Sequence, residues 1–206
     1  MTTTPRRGAD RAALRDQPLT APPPIRQAAV LNADQIAAML TAASERDAAL
    51  VAVLLAAAGR IGEVTLLCWS DIQGSQLIIP AEITKQGRSR TAELPGPALM
   101  HLQHWRTLCP ETRRGWLFPG RPVAHPISVR GAQKRIQALA QMAGLEGVSS
   151  HSFRRSAITA AAQAGLPMAA VAEIGGHRDR RSLERYIDGP ACRAQADKAR
   201  ALLFAV

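Results

Sequence analysis

The sequence predicts a mainly α domain that carries a small antiparallel β-sheet, an α+β fold. Three observations lead there. Apolar residues fill 47% of the 206 positions while aromatic residues fill only 3%, so the core is built from Ala, Leu, Val and Ile, side chains that let helices pack closely. Several segments combine a capping residue with apolar positions at helical spacing. Only two short β-rich stretches interrupt them, residues 77–79 (Leu-Ile-Ile) and 91–94 (Thr-Ala-Glu-Leu), joined by the polar turn Lys85-Gln86-Gly87-Arg88.

Taken in order, residues 1–28 stand apart. They hold Arg6, Arg7, Arg11, Arg15 and Arg26 together with Pro18 and the run Pro22-Pro23-Pro24. Such a stretch buries little apolar surface, which predicts a flexible or extended arm. The compact domain is assigned to residues 29–206 and opens near Asn32, where Asn32 and Gln35 read as a capping box for a helix to residue 43. Helices are expected over 45–58 and 61–68, then over 97–108 and 129–143 after the two strands. A helix over 152–164 is closed by Gly165 as its C-cap. Its apolar stripe is expected to be Phe153, Ala157, Ala160 and Ala164. Pro167 suits the first turn of the next helix, which ends at Gly175-Gly176. Asp179 caps a short helix carrying Tyr186, and Pro190 opens a last one to about residue 202. There is no internal repeat.

The formal charge of +10 and a pI of about 11.1 point to a polyanionic partner, with nucleic acid the leading candidate and a merely soluble basic protein the bland alternative. Lysine occurs only at positions 85, 134 and 198, so nearly all the cationic charge is arginine, whose planar fork grips oxyanions in pairs and never loses its proton. The basic arm reads either as a leader or as a segment lying along DNA. Cys68, Cys109 and Cys192 are widely spaced and form no CxxC or Cys/His cluster, so neither a disulfide framework nor a zinc site is indicated. The longest apolar run, 48–59, is too short to cross a bilayer, and the N-terminus has no signal-peptide apolar region. The expectation is a cytoplasmic protein with no membrane partner.

Four motifs carry chemistry. Gly59-Arg60-Ile61-Gly62-Glu63 continues through Leu67, Trp69 and Asp71. Lys85 sits in the turn between the strands. His151-Ser152-Phe153-Arg154 lies on a helix, where residues three apart share a face. Gly176-His177 is followed, nine residues on, by Tyr186, the only tyrosine of the chain. This ordered set resembles the tyrosine recombinases, the phage integrase family, over about residues 30–200. The family usually has glycine two residues before the first catalytic arginine, whereas here glycine stands directly before Arg60.

The resemblance implies the integrase catalytic-domain fold and a site-specific recombinase, bacterial and nucleoid-associated, reduced to its catalytic domain. It implies cleavage and rejoining of DNA through a 3′-phosphotyrosine, with integration, excision or inversion as the outcome. The catalytic residues it implies are Arg60, Lys85, His151, Arg154, His177 and Tyr186. Arg60 and Arg154 would bind the non-bridging oxygens of the scissile phosphate, where charge builds. Tyr186, whose phenol is mostly un-ionised at neutral pH, would attack with help from nearby cations or from His151 as base. His177 would donate to the phosphate, and Lys85 would protonate the departing 5′-oxygen; Arg88 and Arg90 are alternative working cations. No cofactor, metal or ATP is implied, since the covalent link preserves the bond energy. Double-stranded DNA is the partner, with a homotetramer on two DNA sites and accessory DNA-bending proteins as candidate partners. The helix near 191–206 either passes between neighbouring protomers or packs on its own core. The rival readings are a non-catalytic DNA-binding or regulatory relative and a type IB topoisomerase-like enzyme.

Overall fold

A long apolar segment fixes the centre of the structure, a computed structural model that describes residues 28–176. In α2 (Glu45–Ala56) every residue from Ala48 to Leu54 is buried. A helix that is apolar on all sides belongs in the middle of a core, and α2 touches α1 (Ala33–Ala42), α3 (Ile61–Val64), α4 (Gly96–Leu108), α5 (Val129–Met142) and α6 (Ser150–Gln163). Leu50, Leu54, Leu67, Leu77, Phe118, Ile136 and Phe153 are among the largest side chains sealed in the resulting cluster. The last described helix, α7 (Met168–Gly175), packs on α6 through a separate small contact of Ile158 and Val171. No described helix is long and apolar enough to cross a membrane.

The helix starts follow local chemistry. Asn32 accepts from the Gln35 amide at 2.9 Å, and the Asn32 amide donates to Gln35 Oε1 at 3.0 Å, so the expected capping box is present. Ser44 and Ser128 cap α2 and α5 with their hydroxyls alone, which accept from the amides of Asp47 and Gly131. Asp47, in the first turn of α2, takes both Nε and Nη2 of Arg135 from α5, at 2.5 and 2.9 Å, which ties two helices together.

Four expectations are corrected. The first helix pair is shorter than its pattern: α2 stops at Ala56 rather than at 58, and α3 stops at Val64 rather than at 68. The chain after α3 is drawn into an extended pairing, since the Leu67 carbonyl accepts from Leu117 and the Trp69 amide donates to Gly115. The sheet has a third strand, β1 (Ile72–Gln73), which pairs antiparallel with β2 (Gln76–Ile79); β2 in turn pairs with β3 (Arg90–Glu93). Two residues carry too little alternation to register as a strand. The link from β2 to β3 holds a 3-10 turn at Ala81–Ile83 before its polar tip.

The fourth correction concerns α6, whose buried face is not the alanine stripe. Phe153 is buried, but Ala160 and Ala164 are exposed and Ala157 is half-buried, while Ser152, Ser156, Ile158 and Thr159 are buried. The serine hydroxyls are tolerated inside because they find partners, Ser152 accepting from the Ser149 amide at 3.0 Å. Ser156 donates to the Ser152 carbonyl at 2.8 Å and accepts from the Leu31 amide at 2.7 Å. The arm through residue 27, His177, the helix capped by Asp179 with Tyr186, and the helix opened by Pro190 lie outside the described residues.

Candidate active site

The turn between α2 and α3 is where the site begins. Helix α2 ends because Ala58 adopts φ 42°, the left-handed conformation, which costs a residue with a side chain roughly 1–2 kcal/mol. This is the position, two before Arg60, at which the family places glycine. Gly59 answers a different need: a Cβ there would lie 2.8 Å from Val64 Cγ2. The two residues before Arg60 thus divide the work: Ala58 accepts the strain and Gly59 allows the close approach.

That turn presents two carbonyls, and each accepts from an arginine. The Ala57 carbonyl takes Nη1 of Arg90, from β3, at 2.5 Å. The Ala58 carbonyl takes Nη1 of Arg154, from α6, at 2.7 Å, and Arg154 Nη2 donates to the Gly175 carbonyl at the end of α7. Arg154 is only 4% exposed. Four separate elements therefore meet at one buried junction.

Arg60 is the N-cap of α3 and rises from this junction. Glu63 reaches back to it: the Arg60 amide donates to Glu63 Oε2 at 3.2 Å and Arg60 Nη1 to Oε1 at 2.9 Å. Arg90 Nη2 donates to Oε2 at 2.8 Å. Glu63 is 3% exposed. Burial acts to raise the pKa of its carboxyl, but the hydrogen bonds from the Arg60 side chain, from Arg90 and from the Arg60 amide outweigh it and hold the group below the usual carboxylate range. The Arg60 side chain keeps 32% of its surface open, so one edge of its guanidinium is tethered while the rest faces a cleft.

The cleft has a volume of about 350 Å³ and is lined by Arg60, Glu63 and Arg90, by Thr84, Gln86 and Arg88 of the β2–β3 connection, and by Glu173 and Gly176 of α7. Thr84 organises the connection: its hydroxyl lies 3.0 Å from both the Ala81 and the Arg88 carbonyl, which share its one proton, and accepts from the Arg88 amide at 3.1 Å. Lys85 is exposed at the tip of that connection, between two lining residues but not among them. His151 is exposed in the first turn of α6. Gly176 ends α7 in the left-handed conformation, φ 55°, directly before His177. His177 and Tyr186 themselves lie outside the described residues.

Of the predicted residues, the structure brings Arg60 to the cleft and Arg154 to the junction beneath it. What the sequence reading missed is how Arg90 is used. It entered only as an alternative cation of the turn, whereas it bonds Glu63 and Ala57, and no spacing rule signals partners so far away. Elsewhere on the surface Arg106 stacks on Trp69, and Cys68 and Cys109 are half-buried thiols whose pKa is pushed up by burial.

Comparison with known proteins bears on this arrangement. The tyrosine recombinase XerC of Xanthomonas axonopodis pv. citri (strain 306) is 27% identical over 163 residues, a match covering 76% of this chain and 53% of that protein. XerC of Bifidobacterium longum (strain DJO10A) is 27% identical over 161 residues, covering 72% and 45%. The chain thus spans about half the length of these relatives. Among solved structures, that of XerA recombinase superposes with a TM-score of 0.72 at 20% identity, over 88% of this chain and 66% of that one. XerH site-specific recombinase bound to palindromic difH substrate gives 0.65 at 18% identity, over 77% and 49%. At these identities the superpositions establish the fold, that of the tyrosine recombinase catalytic domain. The model of the phage integrase family matches residues 29–191, well over half of the chain, and the chain belongs to that family.

Proposed function

We propose that the chain is the catalytic domain of a site-specific DNA recombinase, preceded by a basic arm over residues 1–28, and that it breaks and rejoins DNA through a covalent tyrosine intermediate. The observation that carries this reading is the tethered arginine of the cleft: Arg60 is held by a buried carboxylate with one edge turned outward. A guanidinium fixed in that way is prepared for a phosphate before the phosphate arrives, and preorganised charge stabilises a transition state without reorganisation. The relatives are named tyrosine recombinases, and the surplus of positive charge suits a DNA partner.

In this mechanism Arg60 and Arg154 bind the non-bridging oxygens of the scissile phosphate. Tyr186 attacks phosphorus, its phenol helped by the surrounding cations or by His151 as base. His177 donates a hydrogen bond to the phosphate, and Lys85 protonates the 5′-oxygen as it leaves. The protein–DNA bond formed replaces the phosphodiester broken, so rejoining by the 5′-hydroxyl needs neither metal nor nucleotide. A tetramer on two DNA sites, with or without DNA-bending proteins, and a place on the bacterial nucleoid complete the proposal.

The test is covalent capture. The full chain is incubated with a nicked suicide duplex made from the DNA that flanks its gene, and the adduct is separated on a denaturing gel. A protein–DNA band that maps to Tyr186 and vanishes in Tyr186→Phe, while DNA binding persists, is the expected result. An adduct surviving in that variant would remove the nucleophile from this account.

A further inference from the structure

Arg90 does more than line the cleft. One terminal nitrogen donates to the Ala57 carbonyl at 2.5 Å, the other to Glu63 Oε2 at 2.8 Å, and the side chain is only 14% exposed. Its stem lies beside a third piece of the site. A Cβ added at Gly176 would lie 3.4 Å from Arg90 Cδ and 3.5 Å from Nε, so this side chain runs beside the left-handed turn at Gly176. Arg88, two residues earlier in the same cleft, is exposed. Of these two arginines, the one nearer the hairpin tip faces solvent and the one on the strand is committed to the protein.

We propose that Arg90 is a positioning residue of the cleavage site, a strut that fixes Glu63, and through it Arg60, beside the turn at Gly176. The inference rests on the recombinase reading of the cleft. The guanidinium of Arg90 is engaged with Ala57 and Glu63 and its side chain is 14% exposed, whereas the Arg60 side chain keeps 32% of its surface open to the cleft. The logic is that of any outer residue that orients a catalytic group from behind, whose loss reduces activity by about tenfold to hundredfold. The sign of the pH effect follows from Glu63. Its ionised form is the one that tethers Arg60, so activity is present above its pKa and lost as pH falls through it. Without Arg90 that loss begins at higher pH.

The experiment uses the full chain with 13C-labelled glutamate side chains, the Glu63 carboxyl signal being assigned with Glu63→Gln. Its titration is followed in the parent, in Arg90→Met and in Arg90→Lys, and single-turnover cleavage of the nicked flanking duplex is measured from acid to neutral pH. The expected result for Arg90→Met is a Glu63 titration moved to higher pH and a cleavage rate down about tenfold to hundredfold. DNA half-saturation stays unchanged, and the acid limb of the rate profile moves with Glu63. Arg90→Lys restores the titration and most of the rate. Should Arg90→Met not fold, Arg90→Gln carries the same test. An unmoved Glu63 titration in a folded variant overturns the strut, and so does weakened DNA affinity as the main loss, which would make Arg90 a direct DNA contact. If the parent itself forms no adduct, the recombinase reading fails on its own, while the Glu63 titration still decides whether Arg90 sets the carboxylate.

Discussion

The two sides of the cleft are held very differently. On one side, the α2–α3 turn is clamped by Arg90 and Arg154, and Arg60 is tied to the buried Glu63. On the other, Lys85 and Arg88 stand exposed on the β2–β3 connection, where only Thr84 gives the backbone its shape. The difference teaches where order is built in. A buried guanidinium with fixed acceptors keeps its geometry whether or not substrate is present. An exposed lysine loses roughly 1.5–2 kcal/mol of rotamer freedom when it is ordered, and only a bound partner offsets that. The firm side suits groups that bind a phosphate; the loose side suits a group that meets a leaving oxygen late in the reaction.

Truncation on each side sharpens this contrast, and the expected losses of stability fall in order. Arg154→Ala leaves the Ala58 and Gly175 carbonyls without their charged donor inside the fold. Hydrogen bonds to charged groups contribute about 1.5–3 kcal/mol each, so unfolding by urea should show a loss of about 3–5 kcal/mol. A loss below about 1 kcal/mol would mean that the junction is not a clamp. Arg60→Ala should cost about 1–2 kcal/mol, because Glu63 keeps Arg90, yet it should slow cleavage about 10²–10³-fold, as removal of one transition-state donor does. Equal losses in rate and in DNA affinity would instead make Arg60 an affinity contact. Lys85→Ala should change stability by less than about 0.5 kcal/mol, the usual range for an exposed position, while cleavage falls. A normal cleavage rate in that variant would take the acid role away from Lys85.

How much of this was legible beforehand depends on how far apart the partners lie in the chain. The capping box of α1 joins Asn32 to Gln35 and was read directly, because helix capping is a rule about neighbours. The box from Arg60 to Asp71 was equally visible, and in the structure Glu63 bonds Arg60 three residues away. By contrast, Arg90 meets Ala57 across 33 positions and Arg154 meets Ala58 across 96. Neither pairing leaves a periodic trace. The buried face of α6 was misread for a related reason: alanines mark an apolar stripe only when nothing else competes. Here Ser156 is satisfied by the Leu31 amide and the Ser152 carbonyl, and Ser152 by the Ser149 amide, so they take the inside.

The amino-acid order alone determined the fold class, most helix starts, the basic character and the set of motifs that marks the family, since each of these is encoded by neighbouring residues or by composition. Tertiary structure alone decided which arginine faces the cleft and which ones hold it in place. A guanidinium looks the same in any sequence; its role is set by the acceptors that folding places around it, and those come from elements far apart along the chain.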